Sequence, residues 1–133
     1  MHAGCPDYLS LIIPRAEASS IPVEPPYFPK SFLEFVKTHD PTATPHTADQ
    51  MDANPFRGKK IFVVSGKEDE LVPWTASKEF VDTLDVGEEG VKEVFLEPGV
   101  GHTCSPKMIK ETVKFLWEQV LTKTSADARA ASL

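Results

Sequence analysis

The predicted fold depends on two apolar stretches, KIFVVSG at residues 60–66 and VKEVFL at residues 91–96. The first is short, rich in β-branched residues and apolar on both faces, which is typical of a strand in a parallel sheet. Between the two, residues 74–84 carry apolar side chains at helical spacing, so we expect a helix there. This order predicts a β-α-β unit whose two strands are adjacent and parallel.

A further helix is predicted after the second strand. Ser105 is a good N-cap, and Pro106 suits the first helical position because its missing N–H would have no helical partner there. The apolar residues that recur at steps of four, three and four form the expected buried face of this helix: Ile109, Val113, Leu116 and Val120. Residues 122–133 are small and polar, and we expect a flexible tail.

Proline content divides the chain, since nine of the 12 prolines lie in residues 1–58. We expect residues 1–58 to form a Pro-rich, helical, lid-like segment and residues 59–121 to form a β-α-β-α unit. A short helix starting at Tyr8 is expected to end near Pro14. A second is expected to start at Ser31, with Glu34 completing a capping box. Its expected buried face consists of Phe32, Phe35 and Val36.

Composition excludes several classes of protein. The 133 residues carry 14 basic and 20 acidic side chains, a net charge of -6 without any basic stripe, which disfavours nucleic-acid binding. No apolar run exceeds four residues, so we expect no membrane association, and no secretory signal pattern is present at the N-terminus. Two cysteines do not make a disulfide scaffold, so a cytoplasmic protein is expected.

The candidate chemistry lies in the loops that follow the two strands. Asp69 follows the first strand, and His102 follows the second. Because the carboxyl ends of parallel strands meet at one edge of a sheet, we expect the carboxylate and the imidazole to be within hydrogen-bond reach. A carboxylate in this position orients the imidazole and stabilises its protonated form during proton transfer.

No metal or other cofactor is expected. The sequence contains no Cys-x-x-Cys motif and no closely spaced histidine pair, although His2, Cys5, His39, His46 and Cys104 are potential ligands. Cys104 is interpreted instead as a buried or half-buried residue near the start of the last helix.

The two loops resemble those of a known superfamily. Gly66-x-x-Asp69-x-x-Val72-Pro73 after one strand and Gly101-His102 after the next resemble the loops of the α/β-hydrolase fold that carry the triad acid and histidine. The resemblance covers residues 59–121. Through shorter motifs, the whole chain also resembles the C-terminal part of uncharacterised fungal members of this superfamily. It implies a partial α/β-hydrolase-like fold and a serine hydrolase, such as an esterase, that acts on a small ester or amide.

The chain departs from that pattern because it contains no Gly-x-Ser-x-Gly nucleophile motif. A serine would have to come from upstream sequence or from a nucleophile-bearing partner chain, and we expect this chain alone to be inactive. The alternative is a truncated, non-catalytic remnant that acts as a small interaction or structural protein. The exposed edge of the first strand is expected to pair with a second copy of the chain, to bind the missing part from a partner chain, or to be covered by residues 1–58.

Three aromatic residues are assigned to substrate binding: Tyr27, Phe28 and Trp74. The alternative for the Tyr27-Phe28 pair is that it packs over the sheet, and the alternative for Trp74 is that it covers the edge of the core.

Overall fold

The computed structural model describes residues 6–122. This part of the chain contains four α-helices and two strands, in the order α1 (Tyr8–Ala18), α2 (Lys30–His39), β1 (Lys60–Gly66), α3 (Thr75–Thr83), β2 (Val91–Glu97) and α4 (Pro106–Leu116). Two 3-10 turns lie between α2 and β1, Pro41–Ala43 and Ala48–Gln50, and a π-helical turn, Trp117–Leu121, continues α4. The predicted tail, apart from Thr122, lies outside the described residues.

Strands β1 and β2 form a parallel pair. The register runs from Lys60 opposite Val91 to Gly66 opposite Glu97, so both strands end at the same edge. The prediction of two adjacent parallel strands is therefore confirmed, and the described chain has an α/β architecture. Within residues 6–122, no helix is long and apolar enough to cross a bilayer.

The sheet and α4 belong to one compact unit, which comprises residues 56–71 and 86–122 of the described chain. Helix α4 packs on the sheet through Phe115, whose ring stacks on Phe62 with the centroids 4.9 Å apart. Met108 and Phe115 are the buried side chains of this helix, with exposed fractions of 3% and 5%. Ser105 caps the helix by accepting a hydrogen bond from the Met108 amide at 3.0 Å, and Pro106 occupies the first turn, as predicted.

The predicted buried face of α4 is wrong. All four of its residues are exposed, namely Ile109, Val113, Leu116 and Val120. The reason is the width of the surface beneath the helix. Two strands lie only about 5 Å apart, whereas a helix with its side chains is about 10 Å across, so the sheet covers one narrow side of α4. The side that contacts it is the one that carries Met108 and Phe115.

The second compact unit comprises residues 6–55 of the described chain together with Val72–Asp85. The helix expected between the two strands is confirmed as α3, and Ser77, Phe80, Val81 and Leu84 are buried. Asp40 is 5% exposed, and its carboxylate accepts hydrogen bonds from the amides of Tyr8 at 2.7 Å and Thr42 at 3.0 Å. The Asp40 carboxylate thus binds free N–H groups at the start of α1 and in the 3-10 turn Pro41–Ala43.

Helix α1 does not end near Pro14 but continues to Ala18. The Asp7 carboxylate accepts a hydrogen bond from the Ser10 amide at 3.0 Å and caps the helix, which fixes its first turn. Residues 15–18 are Arg, Ala, Glu and Ala, all good helix formers. The single hydrogen bond that proline removes therefore does not end the helix.

Helix α2 begins before the predicted capping box. Its N-cap is Pro29, so Ser31 lies inside the helix and cannot act as the cap. The burial of its predicted face is also largely wrong, because Phe35 is 59% exposed and Phe32 is 40% exposed, whereas Val36 is buried. The Phe35 ring stacks on His39 one turn later instead. The lid-like role of residues 1–58 stays a prediction.

Candidate functional site

The loops after β1 and β2 are joined by backbone hydrogen bonds. The Lys67 amide donates to the Glu97 carbonyl at 2.9 Å, which extends the ladder of the two strands by one step. The Glu68 amide donates to the Val100 carbonyl at 3.1 Å, so the two loops remain in contact beyond the sheet. The parallel strands thus place the acidic loop and the histidine loop side by side.

Gly66 is required where these loops meet. A Cβ atom on this residue would lie 2.2 Å from the Val100 carbonyl oxygen and 2.4 Å from that of Gly101. Real Cβ atoms do not approach other atoms so closely, and these atoms belong to the backbone. The glycine at the end of β1 therefore permits the close approach of the loop that carries His102.

The Asp69 carboxylate is held by both of its oxygens. Oδ2 lies 2.9 Å from Nδ1 of His102, and Oδ1 accepts a hydrogen bond from the Leu71 amide, also at 2.9 Å. The Asp69 side chain is 9% exposed. The Leu71 contact is a local side-chain-to-backbone bond of the kind that fixes aspartate orientation in turns. The second oxygen is thereby directed at the imidazole.

The His102 imidazole is 55% exposed, unlike its partner. A carboxylate accepts hydrogen bonds and does not donate them, so the contact assigns the ring proton to Nδ1. In the neutral ring, Nε2 is then the atom that can accept a proton. The predicted contact between Asp69 and His102 is confirmed, and the geometry suits an oriented general base.

Two carboxylates that the sequence motifs did not single out also lie at this edge of the sheet. Glu68 accepts a hydrogen bond from the Gly99 amide at 2.6 Å. Glu97, at the end of β2, accepts a hydrogen bond from the Ser105 hydroxyl, which also caps α4. A glutamate in an acidic loop matches no sequence motif that would mark it as part of a site. The register of the two strands is the only signal that could have paired Glu68 with Gly99.

The three aromatic residues assigned to substrate binding lie in the other compact unit. Tyr27 is 67% exposed, whereas Phe28 is buried and packs edge to face against Phe32 with centroids 5.8 Å apart. Trp74 is half-buried and immediately precedes α3. The substrate-binding role of these residues stays a prediction.

Potential metal ligands do not cluster in the described part of the chain. Among residues 6–122, no group of three or more His, Cys, Asp or Glu side chains is placed to hold a metal ion. His2 and Cys5 lie outside the described residues. Cys104 is an exposed free thiol, so its expected burial is wrong. It immediately precedes Ser105, the N-cap of α4.

No protein-family model, curated protein or solved structure matches this chain. The candidate site is therefore defined by the geometry of Asp69 and His102 and by the loops that hold them.

Proposed function

We propose that this chain carries the acid and the histidine of an α/β-hydrolase-like serine hydrolase that acts on an ester or amide. The observation that supports this proposal is the 2.9 Å hydrogen bond between the largely buried Asp69 carboxylate and the exposed His102 imidazole. In such a centre the histidine takes a proton from the nucleophile and gives it to the leaving group, and the carboxylate stabilises the imidazolium formed in between.

The nucleophile of the proposed centre lies outside these 133 residues. No Gly-x-Ser-x-Gly motif occurs in the sequence. Ser105, the serine nearest to His102 in the sequence, has its hydroxyl engaged by Glu97 and by the Met108 amide. The serine and the oxyanion hole then come from preceding sequence or from a partner chain. Because triad members act as a unit, the 133 residues alone have no turnover.

Hydrolysis of a generic activated ester tests whether the 133 residues alone are inactive. The chain and its His102→Ala variant should hydrolyse the ester at the same background rate. Turnover by the unaltered chain above that of His102→Ala would contradict the assignment of the nucleophile to another segment. It would direct attention to the exposed Cys104 thiol.

The proposed activity is tested where the nucleophile is present. The coding sequence upstream of Met1, and adjacent reading frames, are read for a Gly-x-Ser-x-Gly motif after an apolar strand. The segment that carries it is expressed with this chain and treated with a fluorophosphonate, which labels a serine activated by its histidine. His102→Ala should abolish the labelling, and Asp69→Ala should reduce it strongly.

Glu70→Gln is the matched control for this experiment. Glu70 is an exposed carboxylate beside Asp69, and the substitution removes the same charge from the same loop. It should leave the labelling unchanged. The absence of any such motif, or labelling that persists in His102→Ala, would overturn the proposed function.

A non-catalytic interaction role is the second candidate, and the outer face of α4 favours it. Val113 and Trp117 on that face are 59% and 61% exposed, and their apolar neighbours extend the patch along the helix. Large exposed apolar patches mark interfaces with other molecules. This candidate gains if no nucleophile motif is found and the purified chain nevertheless associates through α4.

A further inference from the structure

We infer that Glu68 is a positioning residue for the Asp69–His102 pair, an inference that rests on the proposed function. Its carboxylate accepts a hydrogen bond from the Gly99 amide at 2.6 Å, across 31 residues of sequence. Its own amide donates to the Val100 carbonyl at 3.1 Å. One residue thus binds two consecutive positions of the facing loop.

The location of these contacts determines what they control. Asp69 is fixed within its own loop by the Leu71 amide, which binds the carboxylate oxygen that does not contact His102. His102 follows Gly99 by three residues, and it is the central residue of a turn closed by a hydrogen bond from the Thr103 amide to the Gly101 carbonyl at 2.8 Å. Anchoring Gly99 and Val100 therefore positions the His102 imidazole relative to the Asp69 carboxylate.

The contact depends on reach as well as charge. Gly99 has a φ of 74°, a left-handed conformation that glycine adopts readily, and in this conformation its amide meets the Glu68 carboxylate. Glutamate reaches this amide, whereas aspartate is one methylene shorter. Glu70 offers the comparison, since it is exposed, and within residues 6–122 it makes no hydrogen bond to the histidine loop.

The tautomer of His102 reports the pairing without any need for catalysis. In a chain labelled with ¹⁵N and ¹³C, the imidazole shifts distinguish the Nδ1–H from the Nε2–H tautomer, and the His102→Gln variant identifies the signals. The unaltered chain should show the Nδ1–H form. Asp69→Ala should lose it, which calibrates the measurement.

Four variants separate positioning from charge. Glu68→Ala and Glu68→Asp should lower the ratio of Nδ1–H to Nε2–H tautomer by about threefold to tenfold, the change that corresponds to one typical hydrogen bond. Glu68→Gln keeps an acceptor oxygen at the same reach and should retain the ratio. Glu70→Ala should retain it as well. Glu68→Asp provides the result if Glu68→Ala fails to fold.

The outcomes are distinct. An unchanged tautomer ratio in folded Glu68→Ala or Glu68→Asp would overturn the positioning role and leave the proposed function intact. An equal loss in Glu70→Ala would show that loop charge, not the Gly99 contact, controls the imidazole, and would also overturn it. An Nε2–H tautomer in the unaltered chain would instead contradict the Asp69–His102 pair on which the proposed function depends.

Discussion

The strand-end loops and the outer face of α4 belong to one compact unit, yet they are stabilised in different ways. In the loops, polar side chains meet specific partners: Asp69 meets His102, and Glu68 meets Gly99. On α4 and the π-helical turn that continues it, large apolar side chains such as Val113 and Trp117 remain more than half exposed. Hydrogen bonds need only one correctly placed partner, whereas apolar burial needs a broad surface. The geometry of the candidate site therefore depends on a few specific partners, whereas the burial of α4 depends on the extent of the surface that covers it.

Substitution of Phe115 should have the largest effect on stability. This side chain is 5% exposed and stacks on Phe62, so Phe115→Ala should lower the free energy of unfolding by about 3 kcal/mol. Val113→Ala, on the opposite side of the same helix, should change it by less than about 0.5 kcal/mol. Denaturant unfolding measures both. Equal effects of the two substitutions would contradict the difference in burial between the two faces of α4.

Gly66→Ala should have the next largest effect, because the new Cβ would meet backbone atoms of the histidine loop. We expect a loss of about 2 kcal/mol in the free energy of unfolding. Gly101→Ala is the control. Its Cβ would meet only the Glu68 carbonyl oxygen, at an ordinary distance of 3.6 Å, and should be tolerated. A fully stable Gly66→Ala variant would contradict the close approach of the two loops.

Ser105→Ala should cost about 1 kcal/mol, the usual value for an N-cap. It removes the oxygen that accepts from the Met108 amide, and it deprives the Glu97 carboxylate of its donor. Ser105→Thr retains the hydroxyl and should lose less stability. Thermal unfolding of the three proteins tests this ranking, and a stability of Ser105→Ala equal to that of Ser105→Thr would contradict it.

The smallest effect on stability is expected on the outer face of α4, where Val113→Ser and Leu116→Ser should each change the free energy of unfolding by less than about 0.5 kcal/mol. The same pair should nevertheless reduce association of the chain with itself or with a partner, because it removes exposed apolar surface. Size-exclusion chromatography with light scattering measures the change, and Lys114→Ser is the control. An unaltered chain that is already monomeric would contradict self-association through this face.

The elements predicted well are those defined by local sequence. β-branched residues and a terminal glycine define β1, and the Ser105-Pro106 pair marks the start of α4. The proximity of Asp69 and His102 follows from the parallel order of two strands. It required no knowledge of the remaining structure.

The elements predicted poorly depend on what packs against them. The apolar spacing of α4 shows that Ile109 and Leu116 share a face. It does not show which face contacts the two-stranded sheet, and in the structure that face carries Phe115. The end of α1 was likewise misplaced, because the Asp7 cap and good helix formers outweigh one proline. Glu68 could not be identified because no sequence motif marks it, and its pairing with the Gly99 amide depends on the register of the two strands.

The parallel register has a consequence for folding. Lys60 lies opposite Val91, so the first contact of the sheet closes a loop of about thirty residues. The Asp69–His102 contact spans a similar separation, 33 residues, so we expect it to form with the closure of that loop. Non-local closure of this kind slows folding relative to helix formation. Hydrogen exchange during refolding should therefore protect the amides of α4 before those of β1, and the acid–histidine pair should assemble together with the sheet.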